Sequence, residues 1–270
     1  MPVLMLHGSG GSKEVFSRQF ESGLGEAYRL IAIDLPGHGA SDDAADPAKI
    51  YSVRGLAAVA GAVIDALELD RPAVYGWSLG GHIAIQLAAE RGDIAGTALT
   101  GCPPIGPGPL AALRGFHARW DMLLASKEEF TDRDAQRFMR LLYGASGNAD
   151  FLKSIERSDG RLRKHFLRSL MGGEGVDQKR FVETSGVPVA MINGADDPTI
   201  RHSYIEHLNY AALWEAGCQS IAGAGHAPFW EQAESFNRVA HRFFKYVALE
   251  RIAAGDRKGA RQGGSVSTGR

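Results

Sequence analysis

Short apolar runs recur along the chain, and each one is followed within two residues by a glycine, an asparagine or an aspartate. Six such runs lie at residues 3–6, 29–33, 73–75, 96–100, 187–192 and 219–222. Runs of this length that are closed by turn residues are typical of strands buried on both faces. We therefore predict six short strands.

Helical patterns separate several of these runs. Residues 53–67 are rich in alanine with apolar positions at helical spacing, residues 79–91 follow the third run directly, and residues 236–249 form a final amphipathic pattern. Strands that alternate with helices favour a mostly parallel sheet covered by helices on both faces. The predicted class is α/β, with residues 1–102 and 186–250 as its core.

One long segment interrupts this alternation. Residues 103–185 contain no convincing strand; they open with a stretch rich in proline and glycine and continue with charged helical patterns. We interpret the segment as a helical cap inserted over the carboxyl edge of the sheet; the alternative is a helical bundle packed on its side. The last 20 residues, 251–270, are rich in Gly, Arg, Ser and Ala without periodicity, so we expect a disordered tail.

The amino-terminal end is short for this architecture. The first apolar run begins at residue 3, whereas folds of this kind usually carry two earlier antiparallel strands. Either these strands are missing or the true start lies upstream. Their absence would leave one edge of the sheet exposed.

Composition narrows the classes of partner. The chain has 270 residues, of which 44% are apolar, and its 30 basic and 31 acidic residues give a net charge of −1. A length of this order and an ordinary apolar fraction are typical of one globular α/β unit. Because no strongly basic surface is implied, we do not expect nucleic acid as a partner.

The cysteines and histidines indicate in which cellular compartment the protein works and whether it binds a metal ion. Cys102 and Cys218 form neither a metal-binding spacing nor a disulfide framework, which favours the reducing cytoplasm. We find no secretory signal and no run near the roughly 20 apolar residues that span a bilayer, so a membrane partner is not expected. None of the nine histidines belongs to a His-Glu-x-x-His pattern, so we expect no metal and no other cofactor.

The strongest candidate for chemistry is a Gly-x-Ser-x-Gly motif formed by Gly76, Ser78 and Gly80, between an apolar run and an alanine-rich helical pattern. In this context the motif predicts a tight turn that presents the serine at a helix N-terminus, where developing negative charge is favoured. Ser78 is therefore the predicted nucleophile.

A serine hydroxyl needs a base, and the base needs a carboxylate. His226 follows the last predicted strand and is flanked by small residues, so it can reach across the edge of the sheet. Asp196 and Asp197 both follow the preceding strand; we favour Asp197 as the partner of the histidine, with Asp196 as the alternative. The order Ser, Asp, His along the chain is that of α/β-hydrolases.

The oxyanion of an acyl-transfer reaction needs backbone N–H donors. We predict the N–H of Leu79, directly after the nucleophile, and that of Ser9, in the loop after the first strand. His7, in the same loop, is expected to brace it. Trp77 and Phe229 flank the catalytic candidates and are candidates for the wall of an acyl pocket, although burial in the core is the more common fate of such residues.

The motifs together resemble the α/β-hydrolase superfamily over about residues 2–248. Five stretches are similar to N-acyl-homoserine lactonases of the AidH type: residues 76–83, 100–104, 158–161, 213–215 and 225–229. The chain departs from that type at two positions, with Ser9 in place of an asparagine and Asp197 in place of a glutamate.

This resemblance implies a metal-independent serine hydrolase that opens the ring of N-acyl-homoserine lactones and so silences these signals. A general carboxylesterase with the same triad is an alternative, as is a carbon–carbon bond hydrolase or a perhydrolase. A slow-turnover ligand sensor is the alternative from a different class. In each case the expected ligand is a small molecule, and the sequence leaves acyl-chain preference and oligomeric state open.

Overall fold

The computed structural model describes residues 1–263 and shows an α/β architecture built on one six-stranded parallel sheet. The strands are β1 (Pro2–Leu6), β2 (Arg29–Ile33), β3 (Ala73–Trp77), β4 (Gly96–Thr100), β5 (Val189–Gly194) and β6 (Gln219–Ile221). Their order across the sheet is β2-β1-β3-β4-β5-β6, and every neighbouring pair is parallel. The predicted class and all six predicted strands are thus confirmed, with ends shifted by at most two residues.

Each strand sends alternate side chains to two separate cores, one on each face of the sheet. Along β1, Val3 and Met5 pack in one core and Leu4 and Leu6 in the other. Because a strand alternates its side chains, burial on both faces requires the continuous apolar run seen in the sequence.

The helices occupy the connections between the strands. They are α1 (Ser17–Phe20), α2 (Gly23–Ala27), α3 (Pro47–Ile50), α4 (Val53–Ala66), α5 (Leu79–Glu90), α6 (Pro109–Gly115), α7 (Asp132–Tyr143), α8 (Ala149–Arg157), α9 (Gly160–Gly172), α10 (Gln178–Thr184), α11 (His202–Glu206), α12 (Pro228–Glu231) and α13 (Ala233–Gly263). Short 3-10 turns lie at Lys13–Phe16, Trp120–Ser126, Gly144–Ser146 and Trp214–Ala216.

The segment between β4 and β5 contains five of these helices, α6 to α10, and no strand of the sheet. Polar side chains start four of them: Thr131, Asn148, Asp159 and Asp177 each accept a hydrogen bond from a backbone N–H of the following first turn. Such caps satisfy N–H groups that have no partner inside the helix. This is why a charged, strandless sequence folds here as a series of short helices.

Hydrogen bonds join this helical segment to the sheet-bearing part of the chain. The Tyr51 hydroxyl donates to Asp159 Oδ2 at 2.6 Å, and the Asp159 N–H donates to the carbonyl of Gly37 at 2.8 Å. The Val176 N–H donates to Gln86 Oε1 at 2.8 Å. These contacts join the helical segment to the loop after β2, to the end of α3 and to α5.

One edge of the sheet is formed by β2, whose side chains are partly exposed. Residues 251–263 were expected to be disordered, but α13 continues through them to Gly263; alanine, arginine, lysine and glutamine favour helix and extend a helix already anchored by its packed part. The rest of the expected tail, residues 264–270, lies outside the described residues. No helix up to residue 263 combines the length and apolar character needed to cross a bilayer.

Candidate active site

Ser78 occupies a strained turn between β3 and α5. Its backbone has φ 53° and ψ −117°, a conformation that a non-glycine residue rarely adopts. A Cβ atom added at Gly76 would come within 2.4 Å of the Gly80 carbonyl oxygen, and one added at Gly80 within 2.1 Å of the Leu6 carbonyl oxygen. The two glycines of the motif are therefore required by close backbone approach, and the turn leaves Ser78 partly exposed at the start of the helix.

His226 and Asp197 form a buried pair. His226 Nδ1 lies 2.8 Å from Asp197 Oδ2, and the side chains are 3% and 0% exposed. Asp196, the alternative carboxylate, is exposed to solvent. Its neighbour Asp197 turns inward because the chain reverses after β5, with the Asp197 N–H donating to the Gly194 carbonyl.

The charge of this pair fixes the histidine tautomer. Burial opposes ionisation of Asp197, but the nearby His226 and hydrogen bonds from His226 and Thr199 outweigh it and hold the pKa of the carboxyl below its ordinary value. An ionised carboxylate only accepts hydrogen bonds, so the imidazole proton sits on Nδ1. Nε2 is then left with its lone pair free, which is the state that a general base requires.

Thr199 is a third member of this group that the sequence analysis missed. Its hydroxyl donates to Asp197 Oδ1 at 2.7 Å and lies 2.9 Å from His226 Nδ1. Its backbone N–H donates to the same carboxylate oxygen at 2.8 Å. An aspartate followed two residues later by threonine is typical of a turn in which the carboxylate accepts from the backbone ahead of it, and this pattern could have identified Thr199.

Ser78 and His226 both lie against the carboxyl end of β4. The Ser78 N–H donates to the Thr100 carbonyl at 2.8 Å. The imidazole of His226 packs on the next residue, Gly101, where an added Cβ would lie 2.4 Å from Cε1 of the ring. Within the described residues, Ser78 Oγ and His226 make no direct hydrogen bond.

The predicted oxyanion donors lie beside Ser78. Ser9 and Leu79 line the same cavity as the serine, and Leu79 is the first residue of α5, so its N–H has no partner inside the helix. The Ser9 hydroxyl is buried and has no hydrogen-bond partner among the described residues. Backbone donors of this kind can stabilise an oxyanion on a substrate carbonyl.

Two neutral histidines hold the loop that carries Ser9. His7 accepts from the Leu35 N–H through Nε2 at 3.0 Å and donates from Nδ1 to the Gly8 carbonyl at 2.8 Å. His38 accepts from the Gly10 N–H through Nε2 at 3.0 Å. Burial lowers the pKa of His7 to about 4 and that of His38 well below its usual value, so both rings are neutral at pH 7. The expected bracing role of His7 agrees with these contacts.

Trp77 and Phe229 do not line the cavity, which corrects the suggestion that they form an acyl pocket. Both side chains are 0% exposed and pack against each other in one of the two cores, with ring centroids 5.0 Å apart. Trp77 alternates with Ser78 along the end of β3 and therefore points away from the cavity. Its indole N–H donates to the His226 carbonyl at 2.8 Å, so Trp77 positions the loop that carries His226 from the core side of that loop.

A cavity of about 630 Å³ opens above Ser78. Its walls come mostly from apolar side chains of the helical segment, including Leu113, Phe116, Phe166 and Leu170. Six polar or charged residues also line it: Ser9, Ser78, His82, His117, Arg119 and Arg163. A mostly apolar cavity with a few placed polar groups is the usual form of a small-molecule site.

Two of these polar residues are deeply buried and were not identified from the sequence. His82 is 3% exposed and Arg163 is 4% exposed. The Arg163 guanidinium donates to the carbonyls of Lys127 and Glu128 and to the Ser158 hydroxyl, and it stacks on the Phe130 ring at 3.8 Å. Arg163 thus ties the helical segment together at the wall of the cavity.

The described residues contain no group of three or more histidine, cysteine, aspartate or glutamate side chains arranged to hold a metal ion. Cys102 is buried, and a Cβ atom added at Gly81 would lie only 2.5 Å from the Cys102 Cβ. Burial raises the pKa of the Cys102 thiol well above its ordinary value. Ser78, His226 and Asp197 therefore remain the candidate reactive groups at this edge of the sheet.

Solved structures resemble the whole arrangement. A variant of the N-acyl homoserine lactonase AidH with a serine replaced by glycine, complexed with N-hexanoyl homoserine lactone, has a TM-score of 0.88 at 36% identity. The similarity covers 91% of this chain and 90% of that one. A putative aryl esterase from Burkholderia cenocepacia has a TM-score of 0.74 at 25% identity, over 92% of this chain and 90% of the other.

Curated relatives are more distant in sequence. A pimeloyl-[acyl-carrier protein] methyl ester esterase from Xanthomonas axonopodis pv. citri is 28% identical over 91% of this chain and 95% of the relative. A 2-hydroxy-6-oxononadienedioate/2-hydroxy-6-oxononatrienedioate hydrolase from Cupriavidus pinatubonensis is 26% identical over 89% and 86%. A family model described as the alpha/beta hydrolase family matches residues 3–239. With its fold, its serine turn and these relatives, the chain belongs to the alpha/beta hydrolase family and is a hydrolase of ester or lactone bonds.

Proposed function

We propose that this hydrolase opens the lactone ring of N-acyl-homoserine lactones without a metal ion, with Ser78 as nucleophile, His226 as general base and Asp197 as its carboxylate partner. Such a reaction ends acyl-homoserine lactone signalling. The observation that carries the proposal is the buried Asp197–His226 pair at the carboxyl edge of the sheet, next to a strained Ser78 at the foot of a largely apolar cavity.

The likeness to AidH supports the choice of substrate. That lactonase has been solved with N-hexanoyl homoserine lactone and with N-butanoyl homoserine, and it shares 36% of its residues with this chain over nearly the full length of both. An acyl chain needs apolar walls, and a cavity of about 630 Å³ is large enough for a small acylated lactone.

In the proposed first step, His226 Nε2 takes the proton of the Ser78 hydroxyl as Oγ attacks the lactone carbonyl carbon. The resulting oxyanion accepts hydrogen bonds from the N–H groups of Leu79 and Ser9, which need not reorganise because the helix start and the braced loop already hold them. Asp197 stabilises the imidazolium that forms.

In the second step, the ring C–O bond breaks and the imidazolium gives its proton to the leaving alkoxide. The alcohol remains tethered to the acyl group on Ser78. Water, deprotonated by His226, then attacks the acyl-enzyme and releases the N-acyl homoserine, so that one water is added for each lactone consumed. Direct attack of a His226-activated water on the lactone gives the same product, and the two routes differ only in the covalent intermediate.

A general carboxylesterase is the second candidate. The esterase relatives support it, since the same three residues and oxyanion donors act on any carboxylic ester. The two functions differ in whether the cavity selects the lactone ring, and turnover of simple esters by itself does not distinguish them. A slow-turnover sensor differs from both because it would bind a ligand without rapid product release.

The test is hydrolysis of acyl-homoserine lactones of several chain lengths by purified full-length protein with EDTA present, followed by mass spectrometry of the product 18 Da heavier, about the mass of one water. The control is Ser78→Ala, which keeps the fold and removes the nucleophile. We expect ring opening that resists EDTA and falls at least about 1,000-fold in the variant.

Three other outcomes have defined meanings. Turnover of p-nitrophenyl esters without ring opening would replace the lactonase proposal by the carboxylesterase. Tight lactone binding with neither activity would indicate the sensor. Ring opening that survives in Ser78→Ala would remove Ser78 from its role, although water activated by His226 could then still act directly.

A further inference from the structure

His82 presents a fixed hydrogen-bond acceptor to the substrate cavity, one helical turn from the nucleophile. It lies four residues after Ser78, and its N–H donates to the Ser78 carbonyl at 3.3 Å. Both side chains line the same cavity. A group on the substrate close to the scissile carbonyl can therefore contact His82.

The hydrogen bond at His82 Nδ1 determines whether the other ring nitrogen, Nε2, accepts or donates a hydrogen bond. His82 Nδ1 lies 2.8 Å from Gln178 Oε1, and the two residues are 3% and 2% exposed. An amide oxygen accepts and does not donate, so Nδ1 carries the proton. Burial also lowers the pKa of His82 to about 4, so the ring is neutral at pH 7. Nε2 therefore has a free lone pair.

That lone pair has no partner among the described residues. The ring lies between the aromatic side chains of Phe116 and Phe166, with centroid distances of 6.1 and 6.3 Å. These neighbours offer no hydrogen-bond donor. A polar acceptor in such surroundings is stabilised by a ligand donor and penalised when the ligand has none. Neither the reaction steps nor the oxyanion donors use His82.

We propose that His82 Nε2 accepts a hydrogen bond from an N–H borne by the carbon next to the scissile carbonyl, and so selects lactones that carry an amide at that position. This inference rests on the proposed lactonase function and adds the group that the site recognises. In an N-acyl homoserine lactone the amide nitrogen is two bonds from the ring carbonyl carbon. That spacing suits a contact one helical turn away from Ser78. Simple esters and unsubstituted lactones lack the donor.

The experiment compares two substrates that differ at one group. One is N-hexanoyl homoserine lactone, and the other is its ketone analogue with a methylene in place of the amide N–H. The measurement is kcat/KM for ring opening of each by the wild-type protein and by variants, from the mass of the opened product. We expect the wild type to prefer the amide by about tenfold, since one buried acceptor would be left unpaired by the analogue.

Two variants test whether His82 causes that preference. His82→Phe keeps a ring but removes the acceptor, and we expect the preference to fall towards unity. Gln178→Leu leaves the cavity wall unchanged but frees Nδ1, so the proton can move to Nε2 and the acceptor becomes a donor; we expect a smaller preference here as well. This second variant keeps the inference testable if His82→Phe does not fold.

Gln86→Leu is the matched control. Gln86 is also buried on α5 and also bonds the helical segment, through the Val176 N–H, but among the described residues it makes no hydrogen bond to His82. We expect this variant to be less stable and to keep the tenfold preference. Equal kcat/KM for the two lactones in the wild type, or an unchanged preference in His82→Phe, would overturn the inference and leave the lactonase function standing. Failure of the wild type to open either lactone would instead remove the proposed function.

Discussion

The Thr199 hydroxyl lies 2.9 Å from His226 Nδ1 and donates to the same carboxylate that holds the histidine. A hydroxyl has one proton, and here Asp197 receives it, so the oxygen faces the Nδ1–H as an acceptor. The imidazole N–H is thus shared between a carboxylate and a hydroxyl. Thr199 therefore positions both members of the candidate pair.

Thr199→Val should lower kcat about tenfold and leave KM nearly unchanged, because the isosteric side chain removes an orienting hydrogen bond without altering the cavity. Steady-state kinetics on a hydrolysed ester or lactone measures both constants. Thr199→Ser keeps the hydroxyl and should restore most of the rate. A threonine with a purely structural role would lower the thermal stability of the valine variant and leave kcat as it was.

Asp197→Asn should lower kcat by about 1,000- to 10,000-fold, because an amide can donate to Nδ1 and so favour the wrong tautomer. Asp196→Asn is the matched control, since Asp196 is the adjacent carboxylate and is exposed. We expect wild-type kinetics for this control. Comparable losses in both variants would mean that Asp197 acts only through the general charge of the loop.

Gly101→Ala should lower the rate about 100-fold, because the new Cβ would lie 2.4 Å from His226 Cε1 and must displace the ring. The backbone of Gly101 also has φ +63°, so alanine is strained there. Gly92→Ala is the control, with nothing within 4 Å of its added Cβ. Circular dichroism shows whether both variants fold, and a folded Gly101→Ala with full activity contradicts this packing.

Three buried neutral histidines predict a marked loss of stability in mild acid. Burial lowers the pKa of His7 and His82 to about 4 and that of His38 well below its usual value, while the unfolded chain has histidine pKa values near 6.5. A depressed native pKa gives stability that is complete above about pH 6.5 and is lost as the pH falls towards the native pKa. By pH 5, His7 and His82 should each cost about 2 kcal/mol of unfolding free energy, and His38 should add to the loss in the same direction.

Denaturant unfolding at pH 7.5 and pH 5 measures this difference. His38→Gln keeps a donor and an acceptor but does not titrate, so its stability should depend less steeply on pH than that of the wild type. His207→Gln, at an exposed position, is the control and should preserve the wild-type slope. The same slope in His38→Gln and in the wild type would mean that His38 is not a source of acid sensitivity.

The fold was predictable because its signals are local. A strand buried on both faces must be a continuous apolar run, and a turn that presents Ser78 must have glycine where backbones approach within van der Waals contact. His226 was also identifiable, as a histidine among small residues after the last strand. These features depend on a few consecutive residues, which a single sequence displays directly.

The sequence by itself determined the sheet and the serine turn, and it supplied the candidate base and the order of the three catalytic candidates. The sequence favoured Asp197 over Asp196, and the structure turns Asp197 inward. Only the tertiary structure decided that the Thr199 hydroxyl meets His226 Nδ1, and that Trp77 lies under the histidine loop instead of in the cavity. That His82 Nε2 is a hydrogen-bond acceptor was decided in the same way, by the hydrogen bond between His82 Nδ1 and Gln178, which lies 96 positions along the chain. Each of these depends on which distant segments pack against one another, and packing between distant segments leaves no local pattern in the sequence.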